Sequence, residues 1–333
     1  MNKNNMIEIV KSKIRAATDE DNNLPRISYS KLECFLNCPY QFQKKYGEGK
    51  YPEGSTIALD VGTICHLILE LKGQAKLEGK DYISYGPLFK ILEEGSDEVT
   101  EKSHEHIKGI NELKKEYWED WYTKDNKSNM NYEEKIQLFK EVVVPTRMND
   151  SDWIVKGTEV PFKFVYDNRV VVVGFIDRID EHKETGDLRI VDYKTSKAKF
   201  DETKIKTPMQ HIFYDMACIF MYDKLPMEHE YDFILINERQ TSADGVCSKG
   251  YLKRGIKKLD DTLDKIEEAS KSKKYLPKPT PLCYWCPYHT TSPNADNKYK
   301  GLCVYPSLWT PECRIYTTLN PYCPDEKKRT FNF

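Results

Sequence analysis

The feature that most constrains this chain is a change of hydrophobic period near residue 155. Upstream of it, Leu59–Leu77 reads as a helix, with Leu67, Ile68 and Leu71 on one face. From Lys156 to Tyr166, Val170 to Asp180 and Leu188 to Lys194 the residues alternate or run β-branched, which predicts three consecutive strands. Turn residues join them at Asp167-Asn168 and Thr185-Gly186, so the three form a meander. Facing residues of an antiparallel hairpin share a constant index sum. A turn centred on Asn168 sets Glu159 opposite Asp177, with a sum of 336. A turn centred between Glu184 and Thr185 sets Asp177 opposite Asp192, with a sum of 369.

Three carboxylates from adjacent strands then form one row, with neighbours about 5 Å apart. Lys194, two residues past Asp192, points to the same face. Carboxylates this close repel, and one takes up a proton unless a cation sits between them. Hard oxygen ligands suit Mg2+ or Mn2+, which can polarise a phosphodiester and activate water. Lys194 would position that water or neutralise the developing charge. The competing reading is three solvated surface acids. The apolar run Val170-Val171-Val172-Val173 weighs against it, because it marks a buried strand.

The rest of the chain sets bounds. Its 333 residues, 39% hydrophobic and 31% charged, suit one large or two smaller globular domains. No stretch approaches the roughly 20 apolar residues of a membrane span. The polar segment Met1–Glu20 does not resemble a secretory signal, so the expected location is cytoplasmic. The net charge of −2 does not announce a nucleic-acid binder, so DNA contact would need a local patch. Lys253–Lys278, with nine basic and five acidic residues, is one candidate, and a solvated helix face is the alternative.

Residues 1–26 suggest a short amphipathic helix and a polar linker. Ser30 and Glu33 have capping-box spacing, and Pro39 interrupts the helix that follows. Residues 84–142 read as mostly helical, with no legible function. Pro208–Tyr222 and Gly250–Lys274 read as helices, Tyr231–Asn237 as a strand, and the Pro-, Cys- and Tyr-rich tail as irregular. Cys283-Tyr284-Trp285-Cys286 is a CxxC in a proline-rich context, the usual start of a metal site.

Val173-Gly174-Phe175-Ile176-Asp177 and Asp192-Tyr193-Lys194 resemble the GxxD and DxK motifs of RecB-like PD-(D/E)XK nucleases. In the same order along the chain, Gly62–His66 resembles their GxxxH motif and Gln210–Tyr214 their QxxxY motif. Ile27–Ser30 through Cys38–Phe42 resembles the start of the AddB and CRISPR-associated exonuclease branch. The resemblance covers residues 26–305 and implies an α/β (α+β) fold. That fold has a restriction-endonuclease-like core, a mixed central sheet flanked by helices, a helical insertion over 60–150, catalytic elements over 155–240 and a cysteine-rich segment over 275–305. Residues 1–25 and 306–333 lie outside it.

The resemblance also implies roles. His66, Asp177, Asp192 and the Tyr193 carbonyl would bind metal, Glu159 would orient a ligand or water, and Lys194 would be catalytic. Gln210 and Tyr214 would hold DNA or support Lys194; they sit four apart, on one helix face. In that branch four cysteines hold a [4Fe–4S] cluster, which maps onto Cys38, Cys283, Cys286 and Cys303. The insert His289–Gly301 departs from the family spacing, so Cys313 or Cys34 stays open as a ligand, as does Zn2+ with His289. Cys65, Cys218 and Cys247 are expected to be packed thiols. The implied function is a DNA exonuclease acting on single-stranded ends in recombination, repair or end processing, with a separate helicase or recombination partner. A catalytically silent DNA-binding scaffold and a structure-specific endonuclease are the alternatives.

Overall fold

The computed structural model describes residues 3–52, 57–80, 84–86, 88–89, 132–145, 148, 151–201, 209–242, 250–290 and 298–303. Two compact units emerge, Met1–Ile27 with Ser55–Ile256, and Ser28–Gly54 with Lys257–Phe333.

The first unit is built on a seven-stranded mixed sheet. Its strands are β1 (Ile14–Ala16), β2 (Arg26–Ile27), β3 (Trp153–Tyr166), β4 (Val170–His182), β5 (Leu188–Lys194), β6 (Glu228–Phe233) and β7 (Glu238–Thr241). The order is β1-β3-β4-β5-β6-β7, and β2 pairs in parallel with β4. Its helices are α1 (Lys3–Lys11), α4 (Ile57–Leu77), α5 (Tyr132–Leu138) and α6 (Met209–Tyr222); α2 (Tyr29–Asn37) and α3 (Pro39–Phe42) lie in the second unit, and α7 (Tyr251–Ser272) runs across the division. The β5–β6 pairing is parallel, so the chain must cross over between them, and α6 makes the crossover. Helices flank a mixed sheet, as the sequence implied.

The meander has the expected register. From Gly157↔Ile179 to Tyr166↔Val170 the β3–β4 index sum is 336, and from Arg178↔Val191 to Glu181↔Leu188 the β4–β5 sum is 369. Asp167 and Asn168 turn the first hairpin with φ of 51° and 53°, a left-handed conformation that their short polar side chains tolerate. Gly186, at φ 68°, closes the second.

One departure shapes everything downstream. The β4–β5 ladder begins at Arg178↔Val191, so Asp177 and Asp192 are not a paired rung. On that same edge β2 pairs only with Val171 and Val172. Among the described residues, the edge of β4 from Val173 to Asp177 therefore has no partner strand on that side, and β4 and β5 part at the expected site.

A buried ionic network fastens the strands below this fork. Arg189 Nη2 lies 2.7 Å from Asp180 Oδ2, Arg178 Nε 3.0 Å from Asp180 Oδ1, and Arg178 Nη1 donates to the Tyr193 hydroxyl at 3.1 Å. Buried charges persist only when paired and hydrogen-bonded, so these contacts pin the residues on either side of Asp177 and Asp192. Along β5, Val191 and Tyr193 join Ile64, Leu67 and Ile68 of α4 in one core cluster, while Asp192 between them meets α6. The strand is thus sandwiched between two helices, which explains its run of buried residues.

Local expectations failed in four places. The linker after α1 contains β1, a 3-10 turn (Asp19–Asn23) and β2, because pairing with β3 and β4 overrides its polar composition. The cap of α2 is Ser28, not Ser30: Ser28 has extended backbone (φ −114°, ψ 165°) and its side chain accepts the Lys31 N–H at 3.2 Å, while Glu33 bonds Tyr29. The strand expected over Tyr231–Asn237 ends at Phe233 in a 3-10 turn (Ile234–Ile236), and Asn237, at φ 51°, leads into an unexpected β7. The expected helices between 84 and 142 mostly lie outside the described residues; α5 is within them. Among the described residues no helix is long and apolar enough to cross a membrane.

In the second unit, Pro39 starts α3 at its first position after Cys38 breaks the helix. Phe35, Phe42 and Ala269 form its small core, with Phe35 and Phe42 edge to face at 5.3 Å.

Gly73 sets the approach of α4 to the sheet. A Cβ there would lie 2.9 Å from the Cβ and Oγ1 of Thr158 on β3. Glycine costs a helix about 1 kcal/mol relative to alanine, so Gly73→Ala at an uncrowded position would stabilise. Here overpacking, about 1–3 kcal/mol, outweighs that gain. We expect a lower urea midpoint for Gly73→Ala; a higher one would show that α4 does not depend on this contact.

Candidate active site

Five elements of the first unit bring the expected residues to the fork. His66 comes from α4, Glu159 from β3, Asp177 from β4, Asp192 and Lys194 from β5, and Gln210 and Tyr214 from α6. His66 Nδ1 lies 3.5 Å from Glu159 Oε1 and 3.7 Å from Asp177 Oδ1. These three offer ligand atoms that all lie within 4.8 Å of one another, a group able to hold a metal ion. Where β5 leaves β4, the backbone N–H of Tyr193 donates to Asp177 Oδ2 at 2.8 Å. The ladder bond that the fork gives up is replaced by one that orients a carboxylate.

Asp192 is held apart from this group by a second set of contacts. Lys194 Nζ pairs with Asp192 Oδ2, while Gln210 Nε2 donates to Asp192 Oδ1 at 3.1 Å and to the Tyr214 hydroxyl at 2.7 Å. The Tyr214 hydroxyl is itself 3.4 Å from Asp192 Oδ1. Two linked clusters thus replace the single carboxylate row expected from the sequence: His66–Glu159–Asp177, and Asp192–Lys194–Gln210–Tyr214. The row failed because the ladder opens one residue before Asp177 and Asp192 would have faced each other.

Glu159 has a larger part than an orienting one. It sits within β3 at φ 43°, a conformation costly for a residue with a Cβ, and β3 carries its bulge just upstream, between Val155 and Gly157. Strain at a residue that also joins the ligand group points to a constraint set by the site.

The electrostatics call for a cation. Burial pushes the Asp177 carboxyl up to about 7, and the Asp192 and Glu159 carboxylates add to the rise, against the pull of His66 and Lys194. For His66, burial opposes the charged form, but Asp177, Glu159 and Asp192 prevail and raise it to about 9. Burial also raises the Tyr214 phenol well above its usual value, and Asp192 and Asp177 reinforce this, so it stays a neutral donor. Crowded acids that draw extra protons into a site are arranged to face a positive charge. The donor set of imidazole and carboxylate fits Mg2+ or Mn2+.

The structure also draws together the four cysteines named from the sequence. In the second unit, Cys38, Cys283, Cys286 and Cys303 line one cavity of about 190 Å³. A 3-10 turn (Pro281–Trp285) presents the CxxC, and His289 bridges to Cys303 and also lines the cavity. None of the seven described cysteines is in a disulfide. Burial pushes the Cys286 thiol up to about 12, and nearby Cys303, Cys283 and Cys38 add to it. Cys34 packs instead against the small aromatic core, and burial raises its thiol to about 11. Cys65 and Cys218 are buried packing residues, while Cys247 and Cys313 lie outside the described residues. The basic stretch Lys253–Lys278 lies on and after α7, where Lys257 pairs with Asp261 at 3.0 Å and Lys271 with Glu267 at 3.8 Å, which softens its charge.

Sequence reasoning missed two contributors. Gly73, seven residues after His66, shares its helix face, so the spacing carried a signal. The buried pair His229 Nε2–Asp215 Oδ1, at 2.8 Å, ties β6 to α6 beneath Gln210 and Tyr214 and had no sequence signature.

A mixed sheet that forks around paired acids, with a lysine two residues past the second, defines a hydrolase site of the PD-(D/E)XK kind. Comparison with known proteins agrees: the family profile described as "PD-(D/E)XK nuclease superfamily" matches residues 26–291. The chain belongs to this superfamily. It is also similar to the B-type polypeptide of the ATP-dependent helicase/deoxyribonuclease. With the protein from Clostridium perfringens (strain SM101 / Type A) it is 27% identical over 238 residues, 61% of this chain and 18% of that protein. With the one from Streptococcus agalactiae serotype Ia it is 29% identical over 188 residues, 56% of this chain and 15% of that protein. The aligned region is thus a small part of these relatives.

The titrations have a defined sign. His66, raised from 6.5 to about 9, contributes stability in full below its unfolded value and loses it as pH rises through 9. Asp177, raised from 3.8 to about 7, keeps a proton that the unfolded chain releases, so its contribution is lost between about pH 4 and 7. Metal binding needs both groups deprotonated. Calorimetric titration with Mn2+ should therefore show affinity rising from pH 6 to 9 with proton release; a pH-independent affinity would remove His66 and Asp177 as ligands. Separately, Glu159→Gly should relieve left-handed strain and raise metal-free stability by about 1 kcal/mol while shrinking the melting-temperature rise caused by Mn2+. An unchanged Mn2+ response in this variant would exclude Glu159 from the ion's surroundings.

Proposed function

We propose that the chain is a metal-dependent DNA nuclease that hydrolyses phosphodiester bonds as an exonuclease on single-stranded ends. The observation that carries this reading is the His66–Glu159–Asp177 group beside the intact Asp192–Lys194 pair. His66, Asp177, Asp192 and the Tyr193 carbonyl are the proposed holders of Mg2+ or Mn2+, and Glu159 either joins them or orients water. When bound, such an ion polarises the phosphodiester and lowers the pKa of water. Lys194 positions the attacking water and offsets charge that develops on the phosphate. Gln210 and Tyr214 keep Asp192 aimed by hydrogen bonding and hold the DNA strand. A lysine already engaged with its acid favours an enzyme over a silent scaffold, since a scaffold has no use for that pair.

We also propose that Cys38, Cys283, Cys286 and Cys303 hold a [4Fe–4S] cluster. Four sulfur donors around one cavity support it, and so does the volume. A single water needs only about 10–15 Å³ of such space, so about 190 Å³ suits a polynuclear group better than one zinc ion. Such a cluster supplies folding energy by joining distant parts of the chain. The relatives are named as helicase/deoxyribonuclease subunits, and we propose a helicase or recombination partner for this chain and a role in repair or recombination.

Lys194→Ala should lower cleavage by about 10²–10⁴-fold while folding and DNA binding persist. End-labelled linear and circular single-stranded DNA, digested with Mg2+ or Mn2+, measures this; cleavage of the circle would point to an endonuclease, and full activity of the variant would overturn the mechanism. Iron analysis of anaerobically purified protein should find iron that Cys286→Ser loses, and colourless, iron-free wild type would defeat the cluster.

A further inference from the structure

Phe175 is an anomaly. It lies inside β4, and its neighbour Ile176 is fully buried, yet Phe175 is 55% exposed. Exposing an aromatic ring forfeits burial that would otherwise stabilise the fold. It occupies the stretch of β4, Val173 to Asp177, whose second edge has no partner among the described residues. Its partner on β3 is Pro161, also exposed. Proline donates no ladder hydrogen bond and is tolerated on strands with an open side, so this part of the hairpin keeps an open, apolar surface. One step further along, exposed Lys163 pairs with Val173.

Strand geometry orders these features. Residues two apart share a face at about 3.3 Å rise per residue, so Phe175 stands about 7 Å from Asp177 along β4, and the Lys163–Val173 pair about 7 Å beyond. The sequence of surfaces is metal-ligating acids, an aromatic ring, then a cation. That order matches a nucleotide strand read outward from a reacting phosphate, where a base is followed by the next phosphate.

We propose that Phe175 is the stacking platform for the base next to the scissile phosphate, and that Lys163 meets the following phosphate. This rests on the nuclease reading and deepens it by assigning a binding subsite for single-stranded DNA. Aromatic stacking tolerates every base, so the platform grips the strand without reading its sequence. Gly174 beside it leaves room for the Phe162 ring, which crosses that glycine from β3 and supports the strand from within.

The test uses the full chain with a labelled single-stranded oligonucleotide, in cleavage with Mn2+ and in binding with Ca2+. Phe175→Ala should raise KM and the dissociation constant by about 5- to 100-fold, with kcat kept within a few-fold. Phe175→Trp should retain wild-type values. An oligonucleotide with an abasic site at the stacked position should bind wild type as weakly as Phe175→Ala binds the intact strand. Lys163→Ala should lower the slope of log affinity against log salt by about one charge. If wild type cleaves DNA and Phe175→Ala matches it on intact and abasic strands, the platform is overturned and the nuclease reading stands. A wild type that neither binds nor cleaves DNA overturns both. Melting curves identify a folding defect, and Phe175→Trp then decides: loss of binding in that variant also overturns the platform.

Discussion

The structure turns on the hydrogen bond from the Tyr193 amide to the Asp177 carboxylate. It marks the point where β5 stops pairing with β4 and the sheet opens. An open sheet edge in a protein interior carries an unpaired amide, and the cost of leaving it so is about 1–3 kcal/mol. Here a side chain answers that demand. One contact therefore satisfies the backbone, orients an acid, and brings the β5 residues Asp192 and Lys194 alongside without closing the space between the strands.

The surroundings work to hold this opening. The Arg178–Asp180–Arg189 network clamps β4 to β5 immediately below, and its arginines and acid are almost wholly buried. α4 packs on one side of β5 and α6 on the other, so His66 and the Gln210–Tyr214 pair converge on the fork from different directions. Every group that approaches Asp177 or Asp192 is thus mounted on a regular element. A site built in this way loses little conformational freedom when it binds an ion or a substrate.

The two clusters carry opposite electrostatic stress. His66 and Asp177 hold protons above their ordinary ranges, because acids are crowded in a site shielded from water. Asp192 is compensated by Lys194 and by hydrogen-bond donors from α6. The first cluster asks for a cation and the second already contains one. This division gives chemically similar carboxylates different work, and it arises from position rather than residue type.

Much of this was legible in the linear order of residues. The period change near 155, the turn residues at Asp167-Asn168 and around Gly186, and the resulting index sums fixed which residues of β3, β4 and β5 lie across from one another. Those are local consequences of alternation and turn chemistry. The motif order placed His66, Gln210 and Tyr214 in the same neighbourhood, and the cysteine spacing pointed to the four that line one cavity. The end of the β4–β5 ladder, the left-handed strain at Glu159, the separation of Asp192 from the His66 group and the exposure of Phe175 were decided only in three dimensions. Each depends on how far one strand pairs before twist, a bulge or a helix packed against it ends the ladder, and that balance is set by residues distant in the chain.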